Sequence, residues 1–199
     1  MIAVFNVWDF KDIQKVCSPM LATDEARIAL TYMDLEFMDN KCTAYGSNGY
    51  QVSKIVVPCT MTEKPFEPIK VLLRPIKIPA KTKKIILNAD DPETLYLTFY
   101  DKDNNLTGDY SQPVEHAEPL KFEENVFKPS LDKIGSAGNF GEGKYSIVVD
   151  PKYLMNALSG MQDCKMVIFN FSDPLSSFLL RPYKDEDFDA MSLVFPCRP

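Results

Sequence analysis

Two stretches of the chain repeat apolar side chains with the period of a helix, while most of the remainder alternates in short runs typical of strands. The first helical stretch is Val7–Ser18, where apolar side chains lie on one face and lysines, a glutamine and a serine lie on the other. Asn6 or Asp9 can cap its start, and Pro19 ends it. The pattern predicts an amphipathic helix.

The second helical stretch follows Asp150, a favourable N-cap residue, and begins with Pro151, which suits the first helical position. Its apolar stripe consists of Tyr153, Leu154, Ala157 and Leu158. Gly160 is expected to end this helix as a C′ glycine.

The other patterned segments are rich in Val, Ile, Leu, Phe and Tyr and are separated by Gly, Pro, Asn and Asp, as in strands and turns. The predicted strands are Arg27–Tyr32, Glu36–Tyr45, Gln51–Val57, Ile69–Ile78, Lys84–Asn88, Thr94–Tyr100, Lys144–Val149, Lys165–Phe171, Ser177–Pro182 and Met191–Phe195. Many strands with two helices predict an α+β fold of antiparallel sheets, with the few helices on one face.

Residues 111–143 break this pattern. They contain Pro113, Pro119 and Pro129, several glutamates and a glycine-rich run at 135–143. Such a composition is typical of a linker or a long loop. The 199 residues fit one large domain or two small ones of about 100 residues each.

The net charge changes what can be expected of a nucleic-acid partner. A formal charge of −6 argues against a DNA binder that works through a uniformly basic surface. Contact with DNA would then need a local basic face, or enclosure of the DNA by shape.

The cysteines and the apolar runs indicate the compartment. Five widely spaced cysteines without a C-x-x-C pair argue against a disulfide framework and against a zinc site. No apolar run approaches the ~20 residues that span a bilayer, and no basic segment precedes the first apolar residues as in a signal peptide. We therefore expect a cytoplasmic protein without a membrane partner.

Residues that could catalyse a reaction are sparse. The single histidine, His116, lies in the proline-rich segment without a nucleophile motif such as G-x-S-x-G. Acidic runs at 90–91, 123–124 and 185–187 fall in predicted loops, where solvated carboxylates are expected. The sequence predicts no enzyme, no cofactor and no metal site; a hydrolase that uses His116 is the alternative from another class.

Two polar segments allow two interpretations each. Residues 101–109 carry oxygen-bearing side chains at alternate positions, as in a calcium loop, but Leu106 stands where a glycine is needed and Gln112 where a bidentate glutamate is needed. A hairpin turn is favoured there. Lys81, Lys83 and Lys84 form either a solvated turn or a local phosphate contact.

The carboxy-terminal part has a distinctive order of elements. A strand and helix at 145–159 are followed by a strand at 165–171, the turn Ser172–Ser177, a polar loop, and a last strand ending Phe195-Pro196-Cys197-Arg198-Pro199. This order resembles the second half of a domain of the bacterial DNA polymerase III beta subunit, the sliding-clamp family. The family tail ends Met-Pro-Met-Arg-Leu, so proline and arginine match while the other three residues differ.

The amino-terminal part is similar to the opening of that family's middle domain. A helix and a strand lead to Thr43–Val52, where the family has Ala-Thr-Asp-Gly-His-Arg-Leu. Gly49 matches the glycine, and Tyr50 and Gln51 replace histidine and arginine. Ile76–Pro79 resembles the strand that normally precedes a second helix, but no second helix is predicted here.

The resemblance implies two trimmed clamp-like modules, residues 1–115 and 116–199. The first module lacks its second helix and the second lacks its first, with the linker or loop at about 111–143. A single clamp-type domain with a long insertion is the competing division.

The function implied by the resemblance is that of a non-catalytic processivity or recruitment factor for DNA polymerase. Sliding clamps are rings of about six domains that hold double-stranded DNA topologically, independent of its sequence. Two domains in each chain would make the ring a homotrimer. The helix lysines Lys11, Lys15 and Lys152 would then face the DNA.

The family also binds short hydrophobic motifs of polymerases and other replication or repair proteins in an apolar groove between the middle and last domains. By match, the first module would contribute Ser47, Gly49, Tyr50, Gln51 and Val52. The last would contribute Leu175, Ser177, Leu193, Val194, Phe195, Pro196 and Cys197. The alternative is a clamp-derived interaction or regulatory protein that does not encircle DNA.

Overall fold

A computed structural model describes residues 1–63, 65–116, 148–171, 177–183 and 189–196. The strands are β1 Ile2–Asn6, β2 Met33–Met38, β3 Lys41–Ser47, β4 Gln51–Pro58, β5 Thr60–Met61, β6 Ile69–Leu73, β7 Lys84–Asn88, β8 Thr94–Tyr100, β9 Leu106–Pro113, β10 Val167–Asn170, β11 Phe178–Pro182 and β12 Ala190–Val194. The helices are α1 Val7–Cys17 and α2 Pro151–Ser159, with 3-10 helices at Ser18–Met20 and Glu25–Thr31.

The strands form two antiparallel sheets. The five-stranded sheet has the order β5-β1-β7-β8-β9, and the seven-stranded sheet has the order β10-β11-β12-β4-β3-β2-β6. Helix α1 packs against β3 and β4, and α2 packs against β12. The predicted α+β class with antiparallel sheets and few helices is confirmed.

Residues 1–116, the amino-terminal unit, hold nearly all of the larger core, to which Ala190 of β12 also belongs. This core lies between the five-stranded sheet, α1 and the inner face of β2, β3 and β4. The Phe5 ring meets those of Phe10 and Phe37 edge-on, at centroid distances of 5.4 and 6.0 Å. All three rings are buried.

The carboxy-terminal unit consists of the described residues between 148 and 196. Its strands β10, β11 and β12 extend the seven-stranded sheet. Strand β12 pairs with β4 from Ala190 opposite Ile55 to Val194 opposite Gln51. The core of this unit is small, and it includes a side chain from the other unit. Its buried members among the described residues are Met20, Ala157, Met161, Phe178, Leu180 and Val194.

Both predicted helices are present. The Asn6 side chain caps α1 by accepting a hydrogen bond from the Trp8 N–H at 3.0 Å, and Asp150 caps α2 by accepting one from the Lys152 N–H at 2.8 Å. The apolar face predicted for α1 is buried.

Gly160 has a different role from the one predicted. Its φ is −67°, so it is not a left-handed C′ glycine but the right-handed residue after Ser159. A Cβ at this position would lie 3.1 Å from the Val16 Cα. The glycine therefore allows α2 to approach α1 closely.

The strand predicted at Arg27–Tyr32 is wrong. The segment is a 3-10 helix, kinked at Arg27, and the Asp24 carboxylate caps it by accepting the Ala26 N–H at 2.9 Å. A local side-chain cap outweighed the strand propensity of the segment.

The strand predicted at Glu36–Tyr45 is a hairpin instead. Asp39 and Asn40 have φ values of 50° and 59°, as a two-residue type I′ turn requires, and they separate β2 from β3. The strand predicted at Ile69–Ile78 ends at Leu73, because Pro75 has no N–H for a ladder. Strands β1, β5 and β9 were not among the predicted strands.

Residues 101–105 form the favoured hairpin turn. The Asp101 carboxylate accepts hydrogen bonds from the N–H groups of Asp103 and Asn105, at 2.8 and 2.9 Å. The expected linker at 111–143 overlaps the end of β9, and its residues 117–143 lie outside the described residues. Of the strand predicted at Lys144–Val149, only 148–149 are described, and they are not in a strand.

Three thiols belong to the amino-terminal core. Cys17, Cys42 and Cys59 are buried there. Burial raises the pKa of Cys17 to about 12 and that of Cys59 to about 11, and it raises the pKa of Cys42 well above its ordinary value.

Candidate functional site

A cavity of about 510 Å³ lies where the two units meet. One wall comes from the segment after α1 and the β3–β4 turn, and the other comes from the first turns of α2. Its lining residues are Ser18, Pro19, Leu21, Ala22, Thr23, Asp24, Arg27, Asn48, Tyr50, Lys152, Tyr153 and Asn156.

The β3–β4 turn is held by its own side chains. The Asn48 Oδ1 accepts hydrogen bonds from the N–H groups of Tyr50 and Gln51, at 3.0 and 3.2 Å. The Ser47 hydroxyl accepts the Gly49 N–H at 3.1 Å and donates to the Gln51 carbonyl at 2.9 Å. Gly49 has a φ of +88°, which favours glycine. These contacts fix Tyr50 at the cavity.

Tyr50 connects the two walls. Its ring stacks on that of Tyr153 in α2, with centroids 5.9 Å apart and an interplanar angle of 10°. The Arg27 guanidinium carbon lies 5.9 Å from the centre of the Tyr50 ring, close enough for a cation–π contact. The β3–β4 turn, the 3-10 helix and α2 are thus joined around one aromatic pair.

The structure distributes the predicted groove residues over several environments. Tyr50 lines the cavity, whereas Ser47 and Gly49 shape the turn beside it. Gln51 is fully buried. Phe195 is 41% exposed, and its N–H donates to the Tyr50 carbonyl at 3.3 Å, which brings the end of β12 next to the turn.

The other predicted groove residues contribute to packing or are not described. Val52 and Leu193 pack with Leu179 in a small apolar cluster, and Val194 belongs to the carboxy-terminal core. Ser177 and Pro196 are half-buried. Leu175 and Cys197 lie outside the described residues.

The three lysines predicted to face DNA have different surroundings. Lys152 lines the cavity. The Lys15 ammonium forms an ion pair with the Asp163 carboxylate. The Lys11 ammonium lies 4.5 Å from the centre of the exposed Trp8 ring, and Lys83, from the basic segment after β6, lies 5.9 Å from the same ring.

Sequence reasoning missed most of the cavity wall. Asn48 is adjacent to the matched glycine, so the motif itself gave a signal for it. Tyr153 and Asn156 lie on the predicted helix, but their position opposite residues 18–27 follows from the pairing of β12 with β4. No local pattern gives that long-range pairing.

Other classes of site are not evident in the part of the chain that the structure describes. Those residues contain no grouping of three or more His, Cys, Asp or Glu side chains suited to a metal ion. Within the same ranges, no helix is long and apolar enough to span a membrane. His116 is exposed, just beyond the end of β9.

No family model matches the chain, and no curated protein matches its sequence. Its fold, however, is similar to that of the DNA polymerase III subunit beta from Pseudomonas aeruginosa. That match has a TM-score of 0.71 and 12% identity, and it covers 100% of this chain and 66% of the other.

Two further solved structures give the same result. The DNA polymerase III beta subunit from Thermotoga maritima matches with a TM-score of 0.67 and 15% identity, over 100% of this chain and 66% of that one. The beta subunit of the Streptococcus pyogenes DNA polymerase matches with a TM-score of 0.67 and 15% identity, over 98% and 65%.

At these identities the likeness shows the fold alone, so this chain has a sliding-clamp-like α+β fold. The chain spans about two thirds of the length of the beta subunits that it matches.

Proposed function

We propose that this chain is a sliding-clamp-like recruitment and processivity factor without catalytic activity. It binds short peptide segments of DNA polymerase or other replication and repair proteins in the cavity between the two units. The observation that carries this proposal is the position of the cavity, between the β3–β4 turn and α2 of a clamp-like fold.

The expected affinity follows from the size of the cavity. A volume of about 510 Å³ accepts a few side chains, not a folded domain. Each buried Leu or Phe anchor contributes roughly 1.5–3 kcal/mol. A few such anchors, offset by the cost of ordering a peptide, give micromolar binding that allows partners to exchange.

Titration with a fluorescent peptide carrying a hydrophobic clamp-binding motif tests the proposal. Tyr153→Ala removes half of the aromatic pair and should weaken binding by about tenfold or more. Tyr96→Ala is the control, because Tyr96 is 43% exposed on β8 in the five-stranded sheet. Equal affinities of the wild type and Tyr153→Ala would contradict the assignment of the cavity.

The proposal includes double-stranded DNA, held by a ring that three chains would form. Lys11 and Lys83 beside Trp8 would supply the phosphate contacts, because the Lys15 ammonium is already paired with Asp163. The chain has one tryptophan, so its fluorescence reports on this surface alone. A closed ring should remain on circular DNA and be lost when the DNA is cut.

A regulatory protein that binds clamp partners without encircling DNA is the second candidate. One observation favours it: α1 carries Asp9 and Asp12 as well as its lysines. This candidate predicts a monomer or dimer in solution that still binds the peptide. A trimer retained only on circular DNA would exclude it.

A further inference from the structure

We propose that the cavity selects peptide segments in which a carboxylate lies next to an aromatic or aliphatic anchor. This inference rests on the proposed function, since it specifies the partners of the same cavity. It differs from the apolar groove that the family resemblance implies.

The lining is more polar than such a groove. Its aliphatic members are Pro19, Leu21 and Ala22, and the other lining residues carry hydroxyl, amide, phenol or charged groups. These three residues and the two tyrosine rings are the lining that an apolar anchor can pack against.

Two cations stand at this cavity, one from each unit. Arg27 comes from the 3-10 helix and Lys152 from the first turn of α2, and both are exposed. Among the described residues, neither forms a salt bridge within 4.0 Å. Both cations are therefore available to a ligand, and a carboxylate is the peptide group that they would bind best.

The nearby carboxylates only partly offset these cations. Asp24 lines the cavity, but it accepts the Ala26 N–H as the cap of the 3-10 helix. Asp150 likewise accepts the Lys152 N–H as the cap of α2. Among the described residues, neither acid forms a salt bridge with Arg27 or Lys152.

A peptide fits these charges better than a nucleic acid does. Two cations at one cavity match one carboxylate, whereas a nucleic-acid strand needs a row of cations along its phosphates. The net charge of −6 also opposes a polyanion. The aromatic pair then provides a surface for the neighbouring anchor.

The test uses the full chain and two fluorescent peptides that differ at one position. Both carry the same Leu-Phe anchor, and one has Glu where the other has Gln. Fluorescence polarisation should show the Glu peptide binding about tenfold tighter at low salt, and the difference should shrink as salt is added.

Removing the two positive charges tests whether they cause the preference for the Glu peptide. In the double variant Arg27→Gln and Lys152→Gln, the Glu peptide should fall to the affinity of the Gln peptide, which itself should change little. Both residues are exposed, so the variant is expected to fold, and circular dichroism checks this. Lys102→Gln, on the distant β8–β9 turn, is the matched control and should leave both affinities unchanged.

The outcomes separate this inference from the proposed function. Equal binding of both peptides to the wild type, with loss in Tyr153→Ala, would overturn the carboxylate preference and leave the peptide site in place. No binding of either peptide would overturn both. A single-stranded oligonucleotide that displaces the Glu peptide, and that no longer binds the double variant, would overturn the choice of a peptide.

Discussion

The two units differ in how far each can stabilise itself. The amino-terminal unit encloses its core between two sheets and a helix, with several aromatic rings in mutual contact. Within its described residues, the carboxy-terminal unit has one helix over three short strands. Its core includes Met20 from the other unit, and its strand β12 pairs with β4. The larger core therefore lies in the amino-terminal unit, and the smaller core is completed by contacts with it.

The strands that join the two units, β4 and β12, bury polar side chains. Gln51 on β4 and Ser192 on β12 are buried polar side chains that have no hydrogen-bond partner among the described residues. An unpaired buried polar group lowers stability. The contact between the units is therefore expected to be weaker than either core, and the cavity lies across that contact.

The largest effect is expected from the amino-terminal core. Phe10→Ala removes a fully buried ring and should lower the free energy of unfolding by about 3–5 kcal/mol. Both units should unfold together, because the second depends on the first. Urea unfolding followed by Trp8 fluorescence and circular dichroism measures this. Phe66→Ala, at a 95% exposed ring, is the control; a carboxy-terminal unit that outlasts the first would refute the dependence.

A smaller and more local effect is expected at Met20. Met20→Ala should destabilise the carboxy-terminal unit by about 2–4 kcal/mol, because the side chain fills that core. Amide hydrogen exchange should become faster in α2, while β7 and β8 stay protected. Met38→Ala, at 36% exposure, should change little. Equal acceleration in both units would show that they unfold as one.

The third prediction concerns pH and the amino-terminal unit alone. Burial raises the pKa of Asp34 to about 6, with Lys70 lowering it and Glu36 raising it. Its two carboxylate oxygens have no hydrogen-bond partner among the described residues.

The direction in which stability changes with pH follows from which state binds the proton of Asp34. Between about pH 4 and pH 6 the folded protein keeps a proton that the unfolded chain has released, so stability falls as pH rises through this window. The loss is at most roughly 3 kcal/mol. Asp34→Asn should remove this loss, and Asp103→Asn in the exposed turn should retain it. Denaturation midpoints measured from pH 4 to pH 8 decide between the two outcomes.

Local sequence patterns predict the structural elements that depend on neighbouring residues. The cap of α2, the apolar face of α1 and the strands at Lys84–Asn88 and Thr94–Tyr100 follow from local patterns. The 3-10 helix at Glu25–Thr31 and the turn at Asp39-Asn40 were missed, because single side-chain caps and positive φ values decide them.

The cavity depends on contacts between distant parts of the chain. Tyr50 was predicted from its neighbour Gly49, but its partner Tyr153 is about half the chain away and meets it only because β12 joins β4. The polar character of the lining follows from that junction as well. The family resemblance implied an apolar groove, whereas the lining of the cavity includes the two cations Arg27 and Lys152.

The buried cysteines allow opening of the amino-terminal core to be followed by thiol labelling. Cys17, Cys42 and Cys59 all lie in the amino-terminal core, and their raised pKa values leave almost no thiolate at neutral pH. An alkylating reagent can reach them only when that core opens. Cys164, packed at the edge of the other core, is partly exposed and should react sooner. The labelling rates of Cys17, Cys42 and Cys59 thus report how often the amino-terminal core opens.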